Sequence, residues 1–257
     1  MSKNEKTIDT SYLELSLINE AGKPSLTPLL IKQLLSIVSK PISASAVIIT
    51  GSHEAFCTGL DIESLVNKEL NKIDIKQTLL YLSELLKKIE QLPLPVIACV
   101  EGVVQGGGVG FVSVADLVIA TPQAKFSLPE TTFGLIPAVV FPFVVRRIGL
   151  AKARLLALGA PPFLAQVAQQ IGLIDEISDD LSVLLKKFLK RFQCVDQQAI
   201  GAMKKLAFEH FTISTDYYEQ AINKFNQLLN SETSQTRIRR FYHGETPWQK
   251  DKTCQVN

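Results

Sequence analysis

Apolar residues along the chain follow two rhythms. Five short runs rich in β-branched and aliphatic side chains, residues 12–18, 46–50, 95–100, 117–120 and 125–128, have the length and bounding turns of strands. Between them, apolar positions recur every three or four residues. This predicts helices over residues 27–38 and 76–91, a helix entered through Gly106-Gly107-Gly108, and a helix over 141–157. Strands alternating with helices predict an α/β fold. Past about residue 161 the strand rhythm stops, and residues 163–170, 181–191, 197–208 and 216–229 all read as helices. The last third is therefore expected to be an all-helical appendage that covers the core or meets another subunit. Residues 1–190 form the expected core with the site, and 191–257 the helical C-terminal region.

Composition narrows the possibilities. Hydrophobic residues make up 46% of the 257 positions, enough for one large packed core. The 27 basic and 25 acidic residues are spread along the chain for a formal charge of +2, which gives nucleic acid or a membrane surface no electrostatic footprint. No run reaches the roughly 18 apolar residues that span a bilayer, and Lys3 and Lys6 precede no apolar stretch. The expectation is a cytoplasmic protein acting on a small or protein-borne substrate. Cys57, Cys99, Cys194 and Cys254 form no C-x-x-C pair and have no His at zinc-ligand spacing, so neither a metal nor a disulfide framework is expected. His53, His210 and His243 are too scattered for a triad.

Two glycine-bearing loops carry the chemistry. The first, Phe56-Cys57-Thr58-Gly59-Leu60-Asp61-Ile62, follows the strand at 46–50 and the turn Gly51-Ser52 and is read as opening a helix, which Asp61 would cap or brace. A glycine at such a junction lets the backbone turn tightly and leaves the next N–H, that of Leu60, free to face a cleft. The second runs from Glu101-Gly102 through Gln105 into Gly106-Gly107-Gly108. Glycines at a helix start weaken it by about 1 kcal/mol each relative to Ala, so three in a row point to close approach of a ligand or another backbone. Two N–H groups converging on one oxygen make an oxyanion hole, worth several kcal/mol to a thioester enolate where water is excluded. No Lys-Ser or Lys-Thr follows the glycines and their spacing is too tight for a dinucleotide fingerprint, so phosphate binding is set aside.

These segments, in order, resemble the crotonase (enoyl-CoA hydratase/isomerase) superfamily. Residues 56–62 resemble its F-x-x-G-x-D loop and 101–111 its E-G-x-x-x-G-G-G stretch, and residues 115–120 and 126–137 continue the likeness. The resemblance covers roughly residues 12–174. It implies a spiral of ββα units with a C-terminal helical trimerisation region, assembled as a homotrimer or a pair of trimers. It implies further that the backbone N–H groups of Leu60 and Gly107 polarise the thioester carbonyl. Hydratases of the superfamily usually carry two glutamates, at the positions of Gly110 and Glu130, and only Glu130 is present here.

That departure turns the reading away from simple water addition, which two carboxylates usually share. Residues 108–113, 126–128 and 143–149 resemble the polyketide β-branching dehydratases, which remove water from 3-hydroxy-3-methylglutaryl groups on an acyl carrier protein to give 3-methylglutaconyl thioesters. Glu130 then takes the alpha proton, with its pKa raised by an apolar surround. Glu63 stands where CoA-using relatives often carry a basic residue, which fits a substrate on a phosphopantetheine arm with no cofactor beyond it. Arg146, Arg147 and Lys204 are either partners for the substrate's free carboxylate or structural charges. Arg237, Arg239 and Arg240 form a solvated face or a docking surface for an acidic carrier protein. Asp61 and Asp116 are read as structural. An enoyl-CoA isomerase using one glutamate, a decarboxylase and a non-catalytic homologue are the alternatives.

Overall fold

The computed structural model describes residues 12–61, 72–159, 161–211 and 215–247. Two sheets are wound together. The first has the order β1 (Tyr12–Ser16), β2 (Ala46–Thr50), β4 (Val96–Val100), β6 (Leu117–Ala120) and β9 (Glu176–Ile177), all parallel. The second runs β3 (Ala55–Cys57), β5 (Val103–Gln105), β7 (Lys125–Ser127) and β8 (Phe163–Leu164), parallel except for β8 against β7. β2, β4 and β6 are each followed, after a short turn, by a short strand of the other sheet, and a helix or helical turn then returns the chain. This ββα repeat is the spiral expected from the sequence.

Parallel strands are stable when both faces are covered, and here they are. Side chains alternate across a strand, so Val47, Ile49, Val96, Ala98 and Val118 enter the main core. Ala46, Ile48, Ile97, Leu117 and Ile119 face the other way, onto Leu189 and Phe188 of a helix at Leu181–Phe192. The main core is closed by α1 (Pro28–Val38), α2 (Lys72–Glu90), α3 (Gly107–Val114) and α4 (Phe141–Ile148). Thr27 caps α1, its hydroxyl accepting the Leu30 N–H at 3.1 Å.

The remaining helices are α5 (Leu150–Ala157), α6 (Ala165–Gln170), α7 (Leu181–Phe192), α8 (Gln197–Phe211), α9 (Thr215–Leu229) and α10 (Glu232–Tyr242). Four points differ from the sequence expectation. The helix expected over 141–157 is broken between α4 and α5 by Gly149, whose φ of 80° no helix tolerates. Phe163 and Leu164 leave the expected helix to pair with Phe126 and Lys125 as β8. The three-residue strands β3 and β5 and the two-residue β9 are too short to show a period. The polar α10 falls after the last helix read from the sequence. The helix expected directly after the first glycine loop falls on residues outside those described. Among the described residues, no helix is long and apolar enough to cross a membrane.

Candidate active site

Glu130 opens a single turn of 3₁₀ helix, Glu130–Phe133, immediately after β7 and Pro129. The turn is closed by Thr132 N–H to Pro129 O (2.9 Å), Gly134 N–H to Thr131 O (3.0 Å) and Leu135 N–H to Glu130 O (2.9 Å). The carboxyl lies in a cavity of about 90 Å³ walled by Leu79 and Leu82 of α2, Phe133, residues 135–140 and Phe225 of α9. Among the described lining residues, Glu130 is the only ionisable side chain. Its Oε2 is buried with no hydrogen-bond partner. Burial pushes the carboxyl up from the ordinary 4.5 to about 7, opposed only by a bond to its own backbone.

The two loops meet the carboxyl from the opposite side. Leu26 N–H donates to Gly59 O at 2.8 Å and Asp61 N–H to Leu26 O at 3.2 Å. Leu60 is therefore held on both sides while its own N–H, among the described residues, has no carbonyl partner. Gly107 is the first residue of α3, where helical geometry leaves N–H groups unpaired and the dipole is positive. The loops are close: a Cβ built on Gly59 would stand 3.5 Å from Gly107 N. The glycine run has a separate reason at each position. A Cβ on Gly106 would stand 3.2 Å from Glu130 Oε1, one on Gly107 would overlap Leu26 at 2.5 Å, and one on Gly108 would press on Cys57 at 2.8 Å. Gly106 also has φ 50°, which favours glycine. Leu60, Gly107 and Glu130 all line this one cavity. The backbone of both loops and the Glu130 carboxyl thus border the same space.

The enoyl-CoA hydratase/isomerase family model matches residues 25–249. The chain belongs to this family, the crotonase superfamily. It is 33% identical over 230 residues to bacillaene synthase dehydratase PksH of Bacillus subtilis, covering 86% of each protein. It is 30% identical to 2,3-dehydroadipyl-CoA hydratase of Escherichia coli, over 64% of this chain and 65% of that one. The crystal structure of the Bacillus subtilis PksH superposes with a TM-score of 0.76 at 29% identity, covering 86% of this chain and 89% of that one. An enoyl-CoA hydratase from Bacillus halodurans shares the fold, with a TM-score of 0.80 at 24% identity and 89% and 96% coverage. These crotonases add or remove water, and the chain stands with them as a hydro-lyase.

The position of the second glutamate of the crotonase hydratases is crowded here. A Cβ at Gly110 would meet Val140 Cγ1 at 2.7 Å and Leu86 Cδ1 at 3.0 Å, so a larger side chain there requires those side chains to shift. The cationic candidates are also accounted for. Arg146 forms a forked pair with Glu90 at 2.6 and 2.8 Å, and Arg147 bonds Asp175 Oδ2 at 2.6 Å and Ala115 O at 3.0 Å. Lys204 bonds Asp116 Oδ2 at 2.6 Å and Leu94 O at 3.1 Å. All three are structural, and none lines the cavity. Asp116 also accepts the Val96 N–H at 2.8 Å, which fixes the turn between α3 and β6. His53 is exposed and pairs with Glu101 at 3.0 Å, and His243 ends α10. The His210 side chain lies outside the described set, as does any helix for Asp61 to cap. Phe225, Leu79 and Leu82 could not be assigned to the cavity from the sequence, where they are ordinary apolar positions of amphipathic helices.

Proposed function

We propose that this hydro-lyase removes water from a 3-hydroxyacyl thioester, with 3-hydroxy-3-methylglutaryl on an acyl carrier protein as the substrate and the 3-methylglutaconyl thioester as the product, in polyketide β-branching. The observation that supports the reading is the buried carboxyl of Glu130, the one ionisable side chain among the described residues lining a cavity bordered by both glycine loops, with Gly110 where hydratases carry a second carboxylate. A water-adding enzyme needs groups to hold and activate water. An eliminating enzyme needs a base, an oxyanion hole and a dry site.

In this mechanism Glu130 takes the alpha proton, and the electron pair left on carbon is delocalised onto the thioester oxygen held by the Leu60 and Gly107 N–H groups. The enolate collapses to form the alpha–beta double bond and expels the beta hydroxyl. Glu130 returns its proton to that hydroxyl, which leaves as water, and the enzyme is regenerated. Outside the cavity, a surface groove of about 760 Å³ shares Thr58, Leu60, Pro129 and Phe133 with it and continues past Lys23, Gln105, Phe241 and Tyr242. That groove is the proposed seat of the phosphopantetheine arm. No further cofactor is required, and the proposed setting is cytoplasmic. Assembly as a homotrimer or pair of trimers is part of the reading, supported by the exposed Leu150, Leu155, Leu158, Leu164 and Val167.

The test loads 3-hydroxy-3-methylglutaryl onto an acyl carrier protein and, separately, onto CoA, and follows loss of water by mass spectrometry. Dehydration on the carrier that stops in Glu130→Gln supports the proposal. Turnover of a 3-enoyl-CoA with no dehydration on either carrier replaces it with an isomerase.

A further inference from the structure

Among the described residues, no side chain tethers the carboxyl of Glu130. Oε2 is unpartnered, and the bond available to the group comes from its own backbone. Its place in the cavity is therefore inherited from the backbone of a single 3₁₀ turn, an element with few internal bonds and poor geometry for them. The bonds closing that turn use the carbonyls of Pro129, Glu130 and Thr131. The carbonyls of Thr132 and Gly134 point outward, and α10 receives both.

Ser234, 1% exposed, donates from Oγ to Gly134 O at 3.1 Å. Arg237 donates from Nη1 to Thr132 O at 3.1 Å, one helical turn further along. Beyond them the Phe241 ring stands edge-on to Phe133, centroids 5.2 Å apart. The fit is close, because Gly134 has φ 78° and a Cβ there would come within 2.7 Å of Ser234 Oγ. Ser234 is itself held by the N-cap residue Ser231, whose Oγ lies 3.1 Å from Ser234 Oγ.

We propose that Ser234 and Arg237 are positioning residues for Glu130: by holding the Gly134 and Thr132 carbonyls, they fix the 3₁₀ turn so that the carboxyl stays aimed into the dry cavity. The proposal rests on the reading of Glu130 as the base. The elements packed around the carboxyl bring no competing charge to the cavity. α2 presents Leu79 and Leu82, α9 presents Phe225, and the glycine loop presents backbone; of the charged residues on α10, Glu232, Arg237, Arg239 and Arg240, none lines the cavity, Arg237 being engaged at Thr132 O and Arg240 paired with Glu245. Loosening the turn admits water to the carboxyl, and a hydrated carboxyl titrates lower.

Ser234→Ala, Arg237→Ala and Arg237→Lys are compared with the parent protein by two readouts. One is the ¹³C NMR titration of the Glu130 carboxyl, assigned by its loss in Glu130→Gln. The other is the pH profile of kcat. Both alanine variants are expected to lose about 10- to 100-fold in kcat with KM within about twofold. Their carboxyl should titrate below the parent's midpoint, with the activity limb moved to lower pH in the same direction. Arg237→Lys, which keeps a donor, should recover part of the loss. A parental midpoint and parental kcat in the alanine variants overturn the proposal. Should Ser234→Ala fail to fold, the two Arg237 variants decide. A fully active Glu130→Gln means that the reading of Glu130 has failed, while the NMR midpoint still reports whether α10 sets the carboxyl's surroundings.

Discussion

Burying a carboxyl without a partner costs free energy only while the group is charged, so Glu130 should leave a signature in stability as well as in rate. Its pKa is about 7 in the folded protein against an ordinary 4.5. Below about pH 4.5 the group is protonated in both folded and unfolded chains and costs nothing. Between the two values the unfolded chain gives up its proton and the folded one keeps it, so stability falls as pH rises. Above about pH 7 the whole penalty is present, at most about 3 kcal/mol from the shift. Glu130→Gln should therefore melt several degrees above the parent at pH 8, at about 2–4 °C per kcal/mol, and level with it near pH 4.5. The same variant should lose about 10²- to 10⁴-fold in kcat. In the parent, kcat should rise through about pH 7, where the base becomes ionised. Equal melting temperatures at pH 8, read by calorimetry, would mean that the carboxyl is not buried as a charge. The sequence shows this residue and its apolar neighbours, but not the absence of a partner, which depends on side chains 51 and 95 positions away, at Leu79 and Phe225.

Helix α3 is buried at all eight positions, and the glycine at 110 lets it lie against Val140 and Leu86. Adding one methyl group there overpacks the contact, which costs about 1–3 kcal/mol. Gly110→Ala should lower the melting temperature, and combining it with Val140→Ala should recover part of the loss, a coupling that a double-mutant cycle measures. Additive losses would mean that the two side chains do not compete for the same space. At this scale the sequence was legible where period and burial agree. The strands at 46–50 and 117–120 keep their expected bounds because β-branched, largely buried runs admit few alternatives. It was illegible where context overrides period. Gly149 splits one apolar rhythm into α4 and α5. In α10, Ser234 and Ile238 are the buried residues of an otherwise polar stretch that a periodicity reading passes over.

Across the whole molecule, the helical C-terminal region is tied to the sheets by Lys204, 7% exposed, whose ammonium joins α8 to Asp116 and to Leu94 O. Removing it leaves Asp116 without its cation. Lys204→Ala should cost about 2 kcal/mol, less than for a fully buried pair because the Asp116 side chain keeps 35% of its exposure. Thermal unfolding should report this loss, while the pH limb of kcat stays where it is. A shifted limb would place Lys204 in electrical contact with the cavity. From the sequence alone Lys204, Arg146 and Arg147 were equally candidates for the substrate's carboxylate, because a basic residue looks the same whether it meets a ligand or Asp116, Glu90 and Asp175.

The cavity wall is drawn from both ends of the chain's order: the glycine loops come early, while Phe225 arrives on α9. A ribosome delivers the chain from its N-terminus, so the two glycine loops and Glu130 emerge before the side chain that closes the cavity over them. The half-made protein holds its base and its N–H donors in contact with water, where neither is tuned for elimination. Competence in the proposed elimination is therefore among the last properties the growing polypeptide acquires, and a nascent chain released before α9 should be catalytically silent.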